Sequence, residues 1–199
     1  MTDTTPRVSP WNLANYLTVL RLLLVPVFLV LLFADDGDNA RLRLGATAVF
    51  LIAALTDRID GQIARSRGLI TSFGKLMDPI ADKALIGAAL IGLSVLDELP
   101  WWLTVLVLVR EIGVTLLRFV VIRHGVMPAG RGGKLKTVLQ TLAIVLYLLP
   151  LPEALQPVVV VVMGAAVLLT VVTGAEIVYK AVVLRTTSER ADMKRQARS

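Results

Sequence analysis

The sequence predicts an all-α integral membrane protein with six transmembrane helices. Its 199 residues are 56% hydrophobic, whereas soluble domains contain about 45–50% apolar residues. Apolar segments recur along the chain, and each is near the roughly 20 residues that cross the hydrocarbon core of a bilayer. The predicted spans are 14–34, 42–64, 79–98, 100–122, 137–152 and 156–183.

The charges of the connections predict which way these helices run, because cytoplasmic loops collect Lys and Arg. The connections 65–75 and 123–136 and the tail at about 185–199 are basic, whereas the remaining connections are acidic. Both termini are therefore predicted to be cytoplasmic, in a multi-pass protein of the plasma membrane. Arg41 and Arg43 weaken the contrast at the first outer connection without reversing it.

The rest of the chain predicts a single membrane domain over residues 1–199. A short interfacial helix is expected at the inner surface before the first span, around Pro10 and Trp11. Cysteine is absent and His124 is the single histidine, which excludes disulfides, thiolate nucleophiles and Cys- or His-rich metal sites. The net charge of +6 lies in short segments between apolar runs, a pattern of membrane topology and not of nucleic-acid binding.

Four aspartates stand where the predicted spans meet the cytoplasm. Asp57 and Asp60 lie near the inner end of the second helix, on the side that also carries Gly61, Ala64 and Arg65. Gly74, Asp78 and Asp82 repeat at i, i+4 and i+8 and line one face of the third helix. Two helices are therefore predicted to present four carboxylates to each other.

This cluster predicts a divalent metal site. A bare carboxylate inside a bilayer costs at least about 2.5–3.5 kcal/mol, so clustered carboxylates need positive charge beside them. Hard oxygen ligands suit Mg²⁺ or Mn²⁺, and bridging carboxylates can hold two ions about 3.5–4 Å apart. Gly61, Ala64 and Gly74 leave room for a bulky ligand, and Arg65 can pair with a phosphate. The alternative is a charge-neutral helix interface in which the aspartates pair with Arg58, Arg65 and Lys83.

The whole pattern resembles the signature of the CDP-alcohol phosphotransferase family. It reads Asp57-x-x-Asp60-Gly61-x-x-Ala64-Arg65, then eight residues, then Gly74-x-x-x-Asp78-x-x-x-Asp82, with every fixed position filled. Flanking segments resemble the phosphatidylglycerophosphate synthase branch of that family. They are Asn12-Leu-Ala-Asn15-Tyr-Leu-Thr18-x-x-Arg21, Phe73-Gly-Lys-x-x-Asp78-Pro-Ile-Ala-Asp82-Lys, Arg110-Glu111-Ile and Gly133-Lys134-x-Lys136-Thr137.

The resemblance implies transfer of a phosphatidyl group from CDP-diacylglycerol to sn-glycerol 3-phosphate, with release of CMP. It implies that Asp57, Asp60 and Asp78 are metal ligands and that Asp82 is both a ligand and the general base. Further residues are implied to contact CDP-diacylglycerol: Asp60, Gly61, Arg65, Thr71 and Gly74. The resemblance also implies a homodimer.

A phosphate-bearing acceptor needs cations, and the sequence offers them in two places. Arg110 and Arg118 are eight residues apart and share a face of the fourth helix, while Lys134 and Lys136 lie in a predicted acid-free loop together with Arg131. Arg110 has a second interpretation, an internal ion pair with Glu111, and the loop cations have one as lipid-headgroup contacts.

Three competing functions remain at this point. The nearest is the same family with another acceptor, such as an inositol phosphate, serine or phosphatidylglycerol. Aspartate-rich membrane prenyltransferases also bind a diphosphate through metal, but they carry a second Asp-rich motif that this sequence lacks. A membrane ion transporter is the non-enzymatic alternative, although its acidic residues would spread through the membrane depth.

Overall fold

The computed structural model confirms an all-helical chain. It describes the backbone of residues 13–66, 72–121 and 131–196, with side chains over 15–56, 77, 80–117 and 132–184. Within these ranges no strand occurs. The helices are α1 (Leu13–Phe33), α2 (Ala40–Ser66), α3 (Ser72–Val95), α4 (Trp101–Val121), α5 (Arg131–Leu148) and α6 (Gln156–Gln196), with short 3₁₀ turns at Ala34–Gly37 and Glu153–Leu155.

Three helices extend beyond the predicted apolar spans. Helix α3 begins at Ser72, α5 begins at Arg131, and α6 continues to Gln196. Hydropathy marks only the apolar part of a helix, whereas the backbone hydrogen bonds that define it continue through polar residues. The prediction that residues 131–136 form a loop is therefore wrong. The predicted interfacial helix around Pro10 and Trp11, and His124, lie outside the described residues.

Within residues 13–66, 72–121 and 131–196, two stretches are long and apolar enough to cross a membrane by length and composition, Asn15–Gly37 and Glu153–Leu184. The chain divides into two compact units. The first comprises Met1–Pro100 and Ile144–Pro152, and the second comprises Trp101–Ala143 and Glu153–Ser199. Helix α5 therefore contributes its first part to the second unit and its last turn to the first unit.

In the first unit, α1 packs along both α2 and α3. The rings of Phe28 and Phe50 meet with their centroids 5.8 Å apart at the contact of α1 with α2. Gly92 lies against α1, where an added Cβ would come within 2.6 Å of Leu32 Cδ2. Since no real Cβ tolerates that distance, glycine at this position allows the close approach of α1 and α3.

The connection between α1 and α2 reverses the chain within a few residues. Asp35, Asp36 and Gly37 all have positive φ angles, of 58°, 50° and 80°, a conformation that Gly and Asp adopt more readily than most residues. Asn39 then caps α2, because its Oδ1 accepts hydrogen bonds from the backbone N–H groups of Arg41 at 3.1 Å and Leu42 at 3.4 Å. Local sequence thus explains where α2 begins.

A buried arginine near the start of α2 joins this connection to two other parts of the first unit. Both terminal nitrogens of Arg43 donate to the carboxylate of Glu98. The guanidinium also donates to the carbonyl oxygens of Gly37 at 3.4 Å, Tyr147 at 2.7 Å and Leu148 at 3.3 Å. Each of its N–H donors therefore faces an acceptor. We call these five residues the Arg43 cluster.

In the second unit, α4 packs against α6. Its fully buried apolar side chains include Val107, Val159, Met163 and Ala166. Polar side chains interrupt this core on three helices, and they form the cluster described below.

Candidate active site

Helices α2 and α3 carry the four aspartates of the sequence motif. Asp57 and Asp60 lie in the second half of α2, and α3 is helical without a break from Ser72 through Asp78 and Asp82. The predicted i, i+4, i+8 spacing in the third helix therefore holds for the backbone. Gly74 lies on this helix as predicted, in the turns of α3 that precede the predicted apolar span.

Of these four carboxylates, the structure describes the side chain of Asp82. It is partly buried, lies between the buried Ala81 and Leu85, and takes part in at least one polar interaction. The side chains of the other proposed ligand and CDP-binding residues lie outside the described set, and Thr71 lies outside it altogether. Among the described side chains, no three His, Cys, Asp or Glu residues converge as a metal site.

Helix α1 adds a buried polar stripe to the same unit. Asn15, Thr18 and Arg21 recur at three-residue intervals and are 6%, 1% and 0% exposed. Arg21 Nε donates to the carbonyl oxygen of Ala53 at 3.2 Å, one turn before Asp57 on α2. Arg21 is therefore directed into the unit and not toward a headgroup layer.

The second unit contains a buried charge cluster that joins α4, α5 and α6. Glu111 Oε1 accepts hydrogen bonds from Arg110 Nη1 at 2.7 Å and from Lys136 Nζ. Arg110 Nε donates to the carbonyl oxygen of Thr170 at 3.0 Å, and its Nη2 donates to Thr173 Oγ1 at 2.7 Å. We call these five residues the Glu111 cluster. Among the described residues, its two cations share one carboxylate.

A glycine on α6 makes room for Arg110. A Cβ added at Gly174 would lie 3.1 Å from both Cγ and Nε of Arg110, which is tighter than ordinary van der Waals contact. The side chain of Arg110 therefore crosses α6 at a residue without a side chain. This placement fixes the direction of the guanidinium toward Thr170 and Thr173.

The structure separates the cations that the sequence grouped as acceptor ligands. Arg110 forms the ion pair with Glu111 that was one of its two interpretations. Lys136 is buried in the same cluster, whereas Lys134 is exposed on α5. Side chains two residues apart on a helix point to different sides of that helix. The side chain of Arg118 lies outside the described set.

Gln140 was missed by the sequence reasoning. It lies one turn after Lys136 on α5 and is 4% exposed. The signal that could have identified Gln140 is a polar amide within an apolar stretch, four residues after Lys136. Thr173 had no comparable signal, because its partner Arg110 is 63 residues away in the sequence.

A family model for CDP-alcohol phosphatidyltransferases matches residues 11–172, which include α1 to α5 and half of α6. The chain belongs to the CDP-alcohol phosphatidyltransferase family. It is therefore an enzyme of phospholipid synthesis, and membership sets aside the ion-transporter and prenyltransferase interpretations. The four aspartates, the Arg43 cluster and four of the five residues of the Glu111 cluster lie within the matched residues, and Thr173 lies one residue beyond them.

Individual members of the CDP-alcohol phosphatidyltransferase family are similar over most of the chain. A "probable phosphatidylglycerophosphate synthase" of Mycobacterium tuberculosis is 58% identical over 170 residues, covering 85% of this chain and 81% of that protein. A "CDP-diacylglycerol--glycerol-3-phosphate 3-phosphatidyltransferase" of Bacillus subtilis is 38% identical over 83% of this chain and 93% of its own length. A protein of the same name from Rickettsia typhi is 44% identical over 69% of this chain and 76% of its own length.

Proposed function

We propose that this enzyme transfers the phosphatidyl group of CDP-diacylglycerol to sn-glycerol 3-phosphate, giving phosphatidylglycerophosphate and CMP. The observation that carries the proposal is the identity with relatives named for this reaction, 58% and 38% over more than four fifths of the chain. The buried cations of the Glu111 cluster support it, because they suit an acceptor that bears a phosphate.

Asp57, Asp60, Asp78 and Asp82 are the proposed ligands of two divalent ions, Mg²⁺ or Mn²⁺. Their hard carboxylate oxygens fit such ions, and the unbroken helices α2 and α3 support the spacing that gathers them. When bound, these ions would neutralise the charge that develops on the departing CMP phosphate. Asp60, Gly61, Arg65, Thr71 and Gly74 are the proposed contacts of CDP-diacylglycerol.

Asp82 is the proposed general base as well as a ligand. It lies one turn beyond Asp78 on α3, and a carboxylate within hydrogen-bond reach of the acceptor hydroxyl can take its proton during attack. We expect Asp82→Asn to lower the turnover number by about 100-fold or more at saturating metal, because general-base catalysis contributes about 10²–10⁴-fold. Near wild-type turnover of the folded variant would remove Asp82 from this role.

Arg110, Lys136, Lys134 and Arg118 are the proposed ligands of the acceptor phosphate. Arg110 and Lys136 are the better supported pair, because the Glu111 cluster holds both cations in place beside one carboxylate. Arg110 uses Nε and one N–H on each terminal nitrogen within the described residues. A second N–H on each terminal nitrogen is thus available for a planar fork contact with phosphate.

The proposed topology has six membrane-crossing helices, both termini in the cytoplasm and the active site on the cytoplasmic face of the plasma membrane. Each helix carries large apolar side chains that face outward. They include Leu23 on α1, Leu55 on α2, Ile91 on α3, Leu116 on α4, Leu142 on α5 and Val161 on α6. Arg43 supports the sidedness, because its pairing with Glu98 removes a positive charge from an otherwise acidic outer connection. The proposed molecule is a single membrane domain that forms a homodimer.

An acceptor assay tests the function. Purified enzyme with CDP-diacylglycerol and Mg²⁺ or Mn²⁺ is offered glycerol 3-phosphate, an inositol phosphate, serine or phosphatidylglycerol in separate reactions, and CMP and lipid products are measured by mass spectrometry. We expect CMP release that depends on glycerol 3-phosphate. Turnover with only a non-phosphorylated alcohol would contradict the proposed acceptor while leaving the family reaction intact.

A further inference from the structure

Gln140 presents a buried hydrogen-bond donor that no described group satisfies. Its side chain is 4% exposed, and among the described residues none accepts a hydrogen bond from its Nε2. Buried side-chain amides are normally paired, because an unpaired donor loses its hydration without replacement. A buried donor of this kind indicates an acceptor atom supplied by a bound molecule.

The neighbourhood of Gln140 is the Glu111 cluster. Lys136 and Gln140 are four residues apart and therefore lie on one face of α5, separated by a rise of about 6 Å. Both are almost fully buried, and Lys136 reaches Glu111, which in turn holds Arg110. An anion held by the two cations would thus place the rest of a small molecule within reach of Gln140.

The chemistry of the two positions differs, and the difference selects the ligand group. Cationic donors favour phosphate oxygens, with which they form charge-assisted hydrogen bonds. A neutral amide without such assistance matches a neutral oxygen, such as an alcohol hydroxyl. A hydrogen bond donated to the reacting hydroxyl would withdraw electron density from its oxygen and lower its nucleophilicity, so the hydroxyl that does not react is the better partner.

We propose that Gln140 determines acceptor specificity by donating a hydrogen bond from Nε2 to the non-reacting hydroxyl of a polyol phosphate whose phosphate is held by Lys136 and Arg110. The inference rests on the proposed function and names a contact that reads the carbon skeleton of the acceptor. It gives the enzyme a means to distinguish glycerol 3-phosphate from a phosphate that lacks this hydroxyl.

The variant Gln140→Leu tests the proposal, with Thr104→Val as the control. Thr104 is a buried polar residue of α4 in the same unit. For purified Gln140→Leu, we expect the KM for glycerol 3-phosphate to rise by about 10-fold, with the KM for CDP-diacylglycerol unchanged. The thermal midpoint in detergent should stay the same or rise, because leucine removes the unpaired donor. An unchanged KM for glycerol 3-phosphate, or a lower thermal midpoint with both KM values unchanged, would overturn the proposal. Thr104→Val should leave both KM values unchanged.

A second measurement separates the hydroxyl from the phosphate. 3-Hydroxypropyl phosphate lacks the central hydroxyl of glycerol 3-phosphate and is offered as its competitor. We expect its inhibition constant to be the same for wild type and Gln140→Leu. An equal rise for both molecules would show that Gln140 acts on the phosphate or on the fold, which contradicts the proposal. If wild type itself does not use glycerol 3-phosphate, the proposed function fails first. If wild type uses glycerol 3-phosphate and Gln140→Leu has the same KM for it, the proposed function stands and only the role of Gln140 is contradicted.

Discussion

The two compact units each bury an arginine against a glutamate, yet the two clusters differ in how completely their polar groups are paired. In the Arg43 cluster, one carboxylate and three carbonyl oxygens account for every N–H of the guanidinium. In the Glu111 cluster, one carboxylate serves two cations, and an amide without a described partner lies one turn away. An arginine and a glutamate are therefore fully paired in the first unit, whereas in the second unit they lie beside a further cation and an amide donor that no described group satisfies.

This difference separates a structural ion pair from a candidate binding site. An ion pair whose donors are all paired has no donor left for a ligand, and removing one of its residues lowers the free energy of unfolding. A cluster that brings two cations together beside one described carboxylate, with a buried amide donor one turn away that no described group satisfies, suits a ligand that carries both an anion and a hydroxyl. We therefore expect changes in the Arg43 cluster to alter stability alone and changes in the Glu111 cluster to alter acceptor kinetics.

The largest expected effect is that of Arg43→Met. This change leaves the Glu98 carboxylate and the carbonyl oxygens of Gly37, Tyr147 and Leu148 without their donor. We expect a loss of about 3 kcal/mol in the free energy of unfolding, measured by denaturant or thermal unfolding in detergent. The KM values of the folded fraction should equal those of wild type. A rise in the KM for glycerol 3-phosphate would break the comparison.

Arg41→Met is the matched control for that experiment. Arg41 lies two residues away on α2 and is exposed, so its removal should change stability by no more than about 0.5 kcal/mol. The double variant Arg43→Met with Glu98→Leu should recover part of the loss, because it removes both charges together.

A smaller change in stability with a distinct kinetic effect is expected of Glu111→Gln. Neutralising the shared carboxylate removes the anionic partner that positions both Arg110 and Lys136. We expect a loss of about 2 kcal/mol in stability and an increase of about 10-fold in the KM for glycerol 3-phosphate, with the KM for CDP-diacylglycerol unchanged. Glu111→Asp should restore part of the affinity, because it retains the charge.

Glu176→Gln controls for the loss of a negative charge as such. Glu176 pairs with Lys180 on the exposed face of α6, where the two side chains are 50% and 56% exposed. Exposed pairs of this kind contribute little, so neither stability nor kinetics should change measurably. Equal effects of Glu111→Gln and Glu176→Gln would show that the Glu111 cluster has no special role.

The smallest expected effect is that of Gly174→Ala. The added methyl group would press on the Arg110 side chain at 3.1 Å and displace the guanidinium by a few tenths of an ångström. We expect an increase of about 2-fold to 3-fold in the KM for glycerol 3-phosphate, since small displacements of a charge-assisted contact weaken it modestly. Steady-state kinetics at several acceptor concentrations measure this change.

Gly164→Ala is the control on the same helix. A Cβ at Gly164 meets nothing within 4 Å, so this variant gains helix propensity without touching Arg110. Its KM values should match those of wild type. A similar change in KM for both variants would assign the effect to α6 as a whole and not to Arg110.

Much of the fold was predictable from the sequence because its signals are local. Each of the six apolar segments corresponds to one α-helix of the described residues, and the spacing of the aspartates gave the motif that the family match includes. The ends of α3 and α5 were not predictable from hydropathy, because a helix continues into polar sequence wherever its backbone hydrogen bonds continue. The predicted loop cations Lys134 and Lys136 therefore became residues of a helix.

The sequence by itself determined the helical segments, the spacing of the aspartates that are proposed as metal ligands, and the resemblance to the family, since each depends on spacing along one or two helices. Only the tertiary structure decided what the long cationic side chains do. Arg43 meets Glu98, and Arg110 meets Thr173, across 55 and 63 residues of sequence. No local pattern encodes such pairings, because a long flexible side chain takes its partner from whichever helix the packing places beside it.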